Sequence, residues 1–266
     1  MRLLLEAIYE KYHYDFRGYS AASLRRRLLQ ARIRFGCDSF SALQERILHD
    51  PQFFPQMLGY LTVQVSEMFR DPGYFKSLRD NVIPYLRTYP SLKVWIAGCS
   101  TGEELYSLAI LFREEELESR TIFYCTDINT ESLRKAEAGV YEISRIPLFT
   151  QNYQKTGAKT SLSDYYTAAY GGAMFDKTLR RNTVFSDHSL VSDSVFAEVH
   201  LISCRNVLIY FDRPLQDRAI GLFRDSLARR GFIGLGIKET FRFSNHRKDF
   251  AEFDFKNRIY QRAEAA

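Results

Sequence analysis

Two short apolar runs, each closed by small or acidic residues, constrain this chain most. Val94-Trp95-Ile96-Ala97 leads into Gly98-Cys99-Ser100-Thr101-Gly102-Glu103-Glu104-Leu105-Tyr106-Ser107, and Ile122-Phe123-Tyr124-Cys125-Thr126 ends in Asp127-Ile128. The first reads as a strand, a tight turn and a helix opening on two carboxylates; the second reads as a strand ending in an acid. In an open parallel α/β sheet such strand ends hold a nucleoside. Small residues let backbone approach the ligand, and the acid after the second strand accepts hydrogen bonds from ribose hydroxyls. Gly98-x-x-x-Gly102 lacks the three spaced glycines of the dinucleotide fingerprint, and Glu103 and Glu104 stand where a pyrophosphate would go and would repel it. A nucleoside without phosphates fits better, and S-adenosylmethionine (SAM), with its sulfonium and ammonium cations, is such a molecule.

Residues 1 to about 75 read as all-helical, with amphipathic segments near 2–13, 20–35, 39–49 and 51–60 separated by Gly18, Gly36 and Pro51. A helix near 72–87 follows. From 92 onward strand and helix alternate: strand 93–97, helix 102–117, strand 121–126, helix 130–138, strand 199–203, helix 212–229, strand 231–237. That alternation predicts a doubly wound sheet. Phe250 to Arg262 reads as an antiparallel strand returning beside 231–237, the C-terminal hairpin with which class I methyltransferases end. The stretch 145–190, rich in Tyr, Thr and Gly with a turn at Tyr170-Gly171-Gly172, breaks the alternation and reads as a small β insertion. The expected division is therefore a helical domain at 1–75 and a cofactor-binding α/β domain at 76–266 that carries the insertion.

At 266 residues the chain can bury a full core. It has no apolar run near the roughly 20 residues needed to span a bilayer, and its start lacks a signal-peptide pattern, so a cytoplasmic location is expected. Cys37, Cys99, Cys125 and Cys204 never form a C-x-x-C pair, so neither a disulfide framework nor a metal site is expected. The net charge is +5, and its distribution matters more. Between Phe16 and Cys37 stand Arg17, Arg25, Arg26, Arg27, Arg32 and Arg34 without one acid. On a helix Leu24, Leu28, Ala31 and Phe35 form an apolar stripe, with Arg25 and Arg32 on one flank and Arg27 and Arg34 on the other. The helix docks by its stripe and offers cations to an acidic partner; a merely solvated basic face is the plainer alternative.

Gly98-Cys99-Ser100-Thr101-Gly102 also satisfies G-x-S-x-G, the nucleophile elbow of α/β-hydrolases, and late histidines exist at His188, His200 and His246. Against that reading, no His-Gly-Gly-like turn follows an earlier strand, and two glutamates beside an oxyanion hole would oppose the transition state. A second polar cluster ends the strand at 199–203, where Cys204, Arg205 and Asn206 emerge at the edge that carries Gly98 and Asp127. The Asp/Asn-Pro-Pro-Tyr/Phe signature of amino-group methylation in nucleic acids is absent there, so nucleic acid is not the expected substrate.

With the run Cys204-Arg205-Asn206-Val207-Leu208-Ile209-Tyr210-Phe211, the Gly-Cys-Ser-Thr-Gly-Glu-Glu turn and Thr126-Asp127-Ile128, the chain resembles, over nearly its whole length, the CheR family of SAM-dependent protein-glutamate O-methyltransferases of bacterial chemoreceptors. The resemblance places Thr62, Gln64, Ser66, Phe69 and Arg70 on the family's T-x-N-x-T/S-x-F-F-R segment, with Arg70 meeting the cofactor's carboxylate. It makes Glu103 the cofactor-binding acid and Asp127 the ribose acid, and sets Gly98, Ser189, Leu190, Asn206 and Val207 around the cofactor. The chain departs from the pattern at Gln64 (usually Asn), Met68 (Phe), Ser189 (Asn) and Leu105 (often Pro). Those departures leave a non-catalytic SAM-binding regulatory domain as the alternative to an active enzyme. The implied partner is the acidic cytoplasmic helical bundle of a membrane chemoreceptor, reached through Arg25, Arg26 and Arg32. Arg205 and Tyr210 are candidates for orienting the acceptor carboxylate, and the product would be S-adenosylhomocysteine (SAH). A monomer recruited to receptor arrays at the inner membrane, without inserting into it, is expected. Tyr165 to Phe175 shows no match to the insertion that binds a receptor-tail peptide in some members.

Overall fold

The computed structural model describes residues 1–64 and 66–263. It opens with four helices, α1 (Arg2–Tyr12), α2 (Ala21–Arg34), α3 (Phe40–His49) and α4 (Phe53–Leu61). Local chemistry sets their ends: His13 caps α1 in a left-handed conformation, and Ser39 accepts the Ala42 N–H at the start of α3. Leu24, Leu28, Ile47, Met57 and Leu61 meet in a core belonging to this helical unit. Next come α5 (Pro72–Ser77) and α6 (Ile83–Leu86), joined by a π-helical turn at Leu78–Val82. The wider turn accommodates Pro84, which has no N–H to give Asp80 and whose ring would clash with that carbonyl in a regular helix.

The rest is an α/β domain: β1 (Leu92–Ala97), α7 (Glu103–Glu114), β2 (Thr121–Asp127), α8 (Thr130–Ala138), β3 (Val140–Glu142), α9 (Ile146–Gln154), β4 (Tyr166–Ala169), β5 (Gly172–Phe175), β6 (Thr183–Asp187), β7 (Val199–Cys204), α10 (Arg213–Ser226), β8 (Leu227–Leu235), β9 (Phe250–Asp254) and β10 (Ile259–Arg262). Seven strands form one sheet in the order β6-β2-β1-β7-β8-β10-β9. The first five are parallel, and β10 pairs antiparallel with both β8 and the edge strand β9. Both faces are covered, as the two-residue period of β1 requires: Val94 and Ile96 enter one core with Phe112 and Phe123, while Trp95 and Ala97 enter the other with Phe223 and Ile233. The order reverses between β1 and β7, which opens a crevice at their carboxyl ends.

The helical unit lies across that edge. Ser20 N–H donates to Tyr210 O at 2.8 Å, Asp212 N–H donates to Gly18 O at 2.8 Å, and the Tyr19 ring meets Phe211 edge-on at 5.0 Å. Among the described residues no helix is long and apolar enough to cross a membrane, and no group of His, Cys, Asp and Glu is placed to hold a metal ion.

Three readings of the sequence are corrected. The residues 145–190 do not form a continuous β insertion: a small sheet β3-β5-β4 begins at Val140, α9 interrupts it, and Thr183–Asp187 joins the main sheet beside β2. The span 146–154 is helical because Pro147 starts a turn that buries Ile146, Phe149 and Tyr153 on one side. Helix α10 stops at Ser226, where Leu227 pairs with Val199 in a strand already begun. The C-terminal segment is two strands, not one, and the outer one, β9, forms the edge; its turn is held by Asp254 Oδ1 accepting the Asn257 N–H at 3.1 Å.

Candidate active site

The crevice holds a cavity of about 960 Å³ including its open mouth, within the range of small-molecule sites. Its floor is the turn after β1. Gly98 (φ 73), Ser100 (φ 51) and Gly102 (φ 90) all occupy left-handed conformations. A Cβ on Gly98 would lie 2.5 Å from Val207 Cγ2, and one on Gly102 would lie 2.7 Å from Ala136 Cβ, so glycine is required twice. The Gly98 and Cys99 N–H groups both reach Thr126 O at 2.9 Å, which ties the turn to the end of β2. There Asp127 accepts the Ser100 N–H on Oδ2 and the Asn129 N–H on Oδ1, each at 2.9 Å. Burial pushes the Asp127 carboxyl above its ordinary value, and backbone N–H donation from Asn129, Ser100 and Ile128 acts against that rise. Each oxygen keeps acceptor capacity for a hydroxyl pair.

A charged network forms the wall between α5, α7 and β7. The Arg205 guanidinium donates to Asp71 Oδ2 at 2.8 Å and Arg70 O at 2.8 Å, meets Glu104 Oε2 at 3.3 Å, and lies 4.3 Å over the Tyr74 ring. Ser203 Oγ donates its one proton to Glu104, so the Tyr74 hydroxyl, 2.8 Å away, must be the donor to Ser203. Asp71 and Phe69 keep positive φ (54 and 51) in the linker that delivers Arg70, and Ser107 Oγ receives the Phe69 N–H at 2.8 Å. Arg70 lines the cavity with no ion pair for its guanidinium among the described residues. On the opposite side, buried Glu239 accepts N–H groups from Gly236 (2.6 Å), Asn206 (2.8 Å) and Ile209 (3.2 Å). That carboxylate holds Asn206 at φ 62, where its side chain and Val207 face the cavity.

Of the residues expected to touch a cofactor, Gln64, Ser66, Arg70, Gly98, Asp127, Leu190, Asn206 and Val207 line this one cavity, together with Arg205 and Tyr210. Glu103 does not. It is fully buried with Oε1 2.8 Å from Arg145 and Oε2 accepting the Thr101 hydroxyl at 2.7 Å, and Glu104 takes its place on the wall. Ser189 is also absent from the wall: its N–H goes to Asp193 Oδ2 at 2.8 Å and its hydroxyl accepts the Val191 N–H in a local turn. Arg25, Arg26 and Arg32 lie outside the cavity, the first two exposed and the third half-buried beside Phe40.

Helical periodicity puts Arg27 on a flank of α2, but the structure buries it. Its Nη1 donates to Leu61 O, its guanidinium lies 4.5 Å over the Tyr210 ring, and its Nη2 has no hydrogen-bond partner among the described residues. Burial pulls its pKa down against the raising influence of Tyr210. Sequence reasoning misses Glu104, Glu239 and Arg27 as site residues because their partners come from other elements; the doubled glutamate after Gly102 is the one available signal for Glu104.

Arg27 Nη2, Ser100 Oγ, Ser132 Oγ, His188 Nδ1 and Arg205 Nε are all buried without a hydrogen-bond partner among the described residues, and all five residues line the cavity. Each such atom costs about 1–3 kcal/mol unless a ligand or water satisfies it. The wall is thus prepared for a polar ligand with both cationic and anionic groups, and it lacks the phosphate-binding glycine pattern. Ser100 Oγ has no base in contact, so the nucleophile elbow lacks its partner.

A doubly wound sheet that gathers a buried acid, a glycine-cradled turn and Arg70 at one edge has the frame of a SAM-binding methyltransferase. Residues 64–258 match the family described as CheR methyltransferase, SAM binding domain, and residues 1–62 match its all-alpha domain. The chain belongs to the CheR methyltransferase family. It is 56% identical to a Pseudomonas putida protein named as a candidate methyltransferase, Cher3, over 99% of this chain and 96% of that protein. It is 30% identical to chemotaxis protein methyltransferase 2 of Pseudomonas aeruginosa, over 86% of this chain and 79% of the relative. Against the chemotaxis protein methyltransferase of Salmonella typhimurium the figures are 30%, 73% and 66%.

Proposed function

We propose that this chain methylates glutamate side-chain carboxylates on the cytoplasmic helical bundle of membrane chemoreceptors, giving glutamate methyl esters and SAH for sensory adaptation. The observation that carries the reading is Arg27, a buried cation on the cavity wall that has no ion pair among the described residues and whose Nη2 has no hydrogen-bond partner among them. An incoming carboxylate would neutralise it, whereas an amine or a phenol would leave it unpaired. The relatives named chemotaxis protein methyltransferases support a methyltransferase of chemotaxis, and the glutamate acceptor is this proposal's own step.

When bound, SAM would supply an electrophilic methyl group, released from its sulfonium as a thioether, for the acceptor carboxylate oxygen. Asp127 would hold the ribose hydroxyls, Arg70 the carboxylate, and Glu104 the cationic side of the cofactor. A glutamate side chain ordinarily titrates at about pH 4.3 and is already ionised at neutral pH, so the chain need supply no general base. Its own residues orient and desolvate. Arg27, fixed by Leu61 O and Tyr210, grips the acceptor; Arg205 acts as a positioning residue that holds Glu104 and the Arg70 linker in place. The enzyme would work as a cytoplasmic monomer recruited to receptor arrays.

The test is to map the product. Receptor-containing membranes incubated with the protein and SAM should yield methyl esters on glutamates of the helical bundle by peptide mass spectrometry. Methylation confined to lysine, or none from a protein that binds SAH, would overturn the assignment.

A further inference from the structure

We propose a second docking surface beside the cavity, formed by Ile209, Ile237, Phe243 and Phe255 with Arg213, Lys238, Arg242 and Arg258, that grips an acidic amphipathic helix. The proposal deepens the function given above and rests on it, because the helix it fits is the one carrying or flanking the acceptor glutamate.

The four apolar side chains are 38%, 50%, 67% and 62% exposed, large values for Ile and Phe. Ile209 adjoins Tyr210 on the cavity wall, and its N–H is held by Glu239. The same glutamate fixes the turn bearing Ile237 through Gly236 N–H. Arg258 Nε donates to Ile237 O at 3.2 Å and its guanidinium lies 4.6 Å over Phe255, while Arg213, which opens α10, lies 4.4 Å over Phe243. The Glu239 and Arg258 contacts link Ile209, Ile237 and Phe255 to the turn that carries Asn206, and Arg213, four residues after Ile209, ties Phe243 to the start of α10.

Charge selects the occupant. None of the four cations forms an ion pair among the described residues. The neighbouring acids are engaged: Asp217 with Ser244 and Asn245, Asp254 with Ser77 and Asn257, Glu239 with three backbone N–H groups, and Asp212 with the Leu215 N–H at the start of α10. The surface is therefore apolar residues interleaved with unpaired cations. A nucleic-acid backbone would satisfy the cations and leave the apolar residues wet; a helix with an apolar stripe flanked by Glu or Asp satisfies both. Arg27 of α2 and Tyr210 beside Ile209 both line the cavity, which ties α2 and the segment bearing Ile209 to the same wall. An antiparallel pair of acidic helices could rest one against each.

The test combines Arg242→Glu with Phe243→Ser in the full-length protein, with Ile237→Ser/Arg213→Glu as an independent variant. A fluorescent helical peptide of Glu- and Leu-containing heptads serves as the probe by anisotropy, beside receptor methylation kinetics and SAH titration. Both variants should weaken peptide binding and raise KM for receptor membranes about tenfold, with kcat and SAH affinity changed less than about twofold. Unchanged peptide affinity in variants that still bind SAH would overturn the surface. Peptide binding that the variants lose, alongside a wild type that never esterifies receptor, would instead sustain the surface and sink the proposed reaction.

Discussion

Arg27 is a buried cation on the cavity wall, where the proposal gives it the acceptor carboxylate. Arg27→Met should lower kcat/KM for receptor about 100-fold, corresponding to ~2.7 kcal/mol of lost transition-state stabilisation. SAH affinity should stay within about twofold, and Tm should change little, because relief of a buried cation offsets the lost Leu61 O and Tyr210 contacts. A fall in Tm with full activity would make Arg27 structural. Gly98→Ala places a Cβ against Val207 at a positive φ, where an L-residue costs about 1–2 kcal/mol, and should weaken SAH binding at least about tenfold by titration. Asp127 gives a pH signature. Its folded pKa is raised, so the folded protein holds that proton more tightly than the unfolded chain; the ionised group costs stability above the folded pKa, and the cost fades as pH falls toward the unfolded value. Ribose binding needs the ionised form, so SAH affinity should fall on acidification at a pH above the ordinary Asp range of about 3.9. Asp127→Asn should bind weakly with a flat profile in that window, and an unchanged slope in the variant would assign the titration elsewhere.

At the scale of elements, helix α2 divides its arginines between two tasks. Arg25 and Arg26 face solvent, whereas Arg27 turns into the seam with Tyr210. Reversal of Arg25 and Arg32 to Glu should raise KM for receptor without changing SAH affinity; loss of both would show that the helix is held together by those residues. Much of the architecture was legible because the code is local: α8 spans the expected 130–138, and β1, β2 and β7 fall within a residue of their predicted limits. What escaped depends on distant partners. Thr183–Asp187 reads as part of an insertion until β2 is there to pair with it, and the Phe250–Arg262 segment shows its turn through Asp254 and Asn257 instead of through glycine. The site divides in the same way. Gly98, Asp127 and Asn206 follow from strand ends and Val207 from the family resemblance, and all four line the cavity, whereas Glu104 lines it and Glu103 is turned away to Arg145.

The whole molecule is a cavity closed by two units. Main-chain bonds between Gly18 or Ser20 and the Tyr210–Asp212 segment set the helical unit across the sheet edge, and Arg27 crosses that seam to finish the wall. Cofactor binding should therefore stabilise both units together: at a hundred times its Kd, SAH should contribute about 2.7 kcal/mol and shift a single thermal transition. Two transitions, one indifferent to SAH, would contradict the shared seam. The central claim is methyl transfer to a carboxylate. Its most direct measurement incubates the protein with methyl-labelled SAM and receptor-containing membranes, then treats the labelled receptor with mild alkali. The account predicts label on a receptor-sized band that leaves as volatile methanol, the behaviour of a carboxyl methyl ester. Label that survives alkali, or no label from a protein that binds SAH tightly, would contradict it.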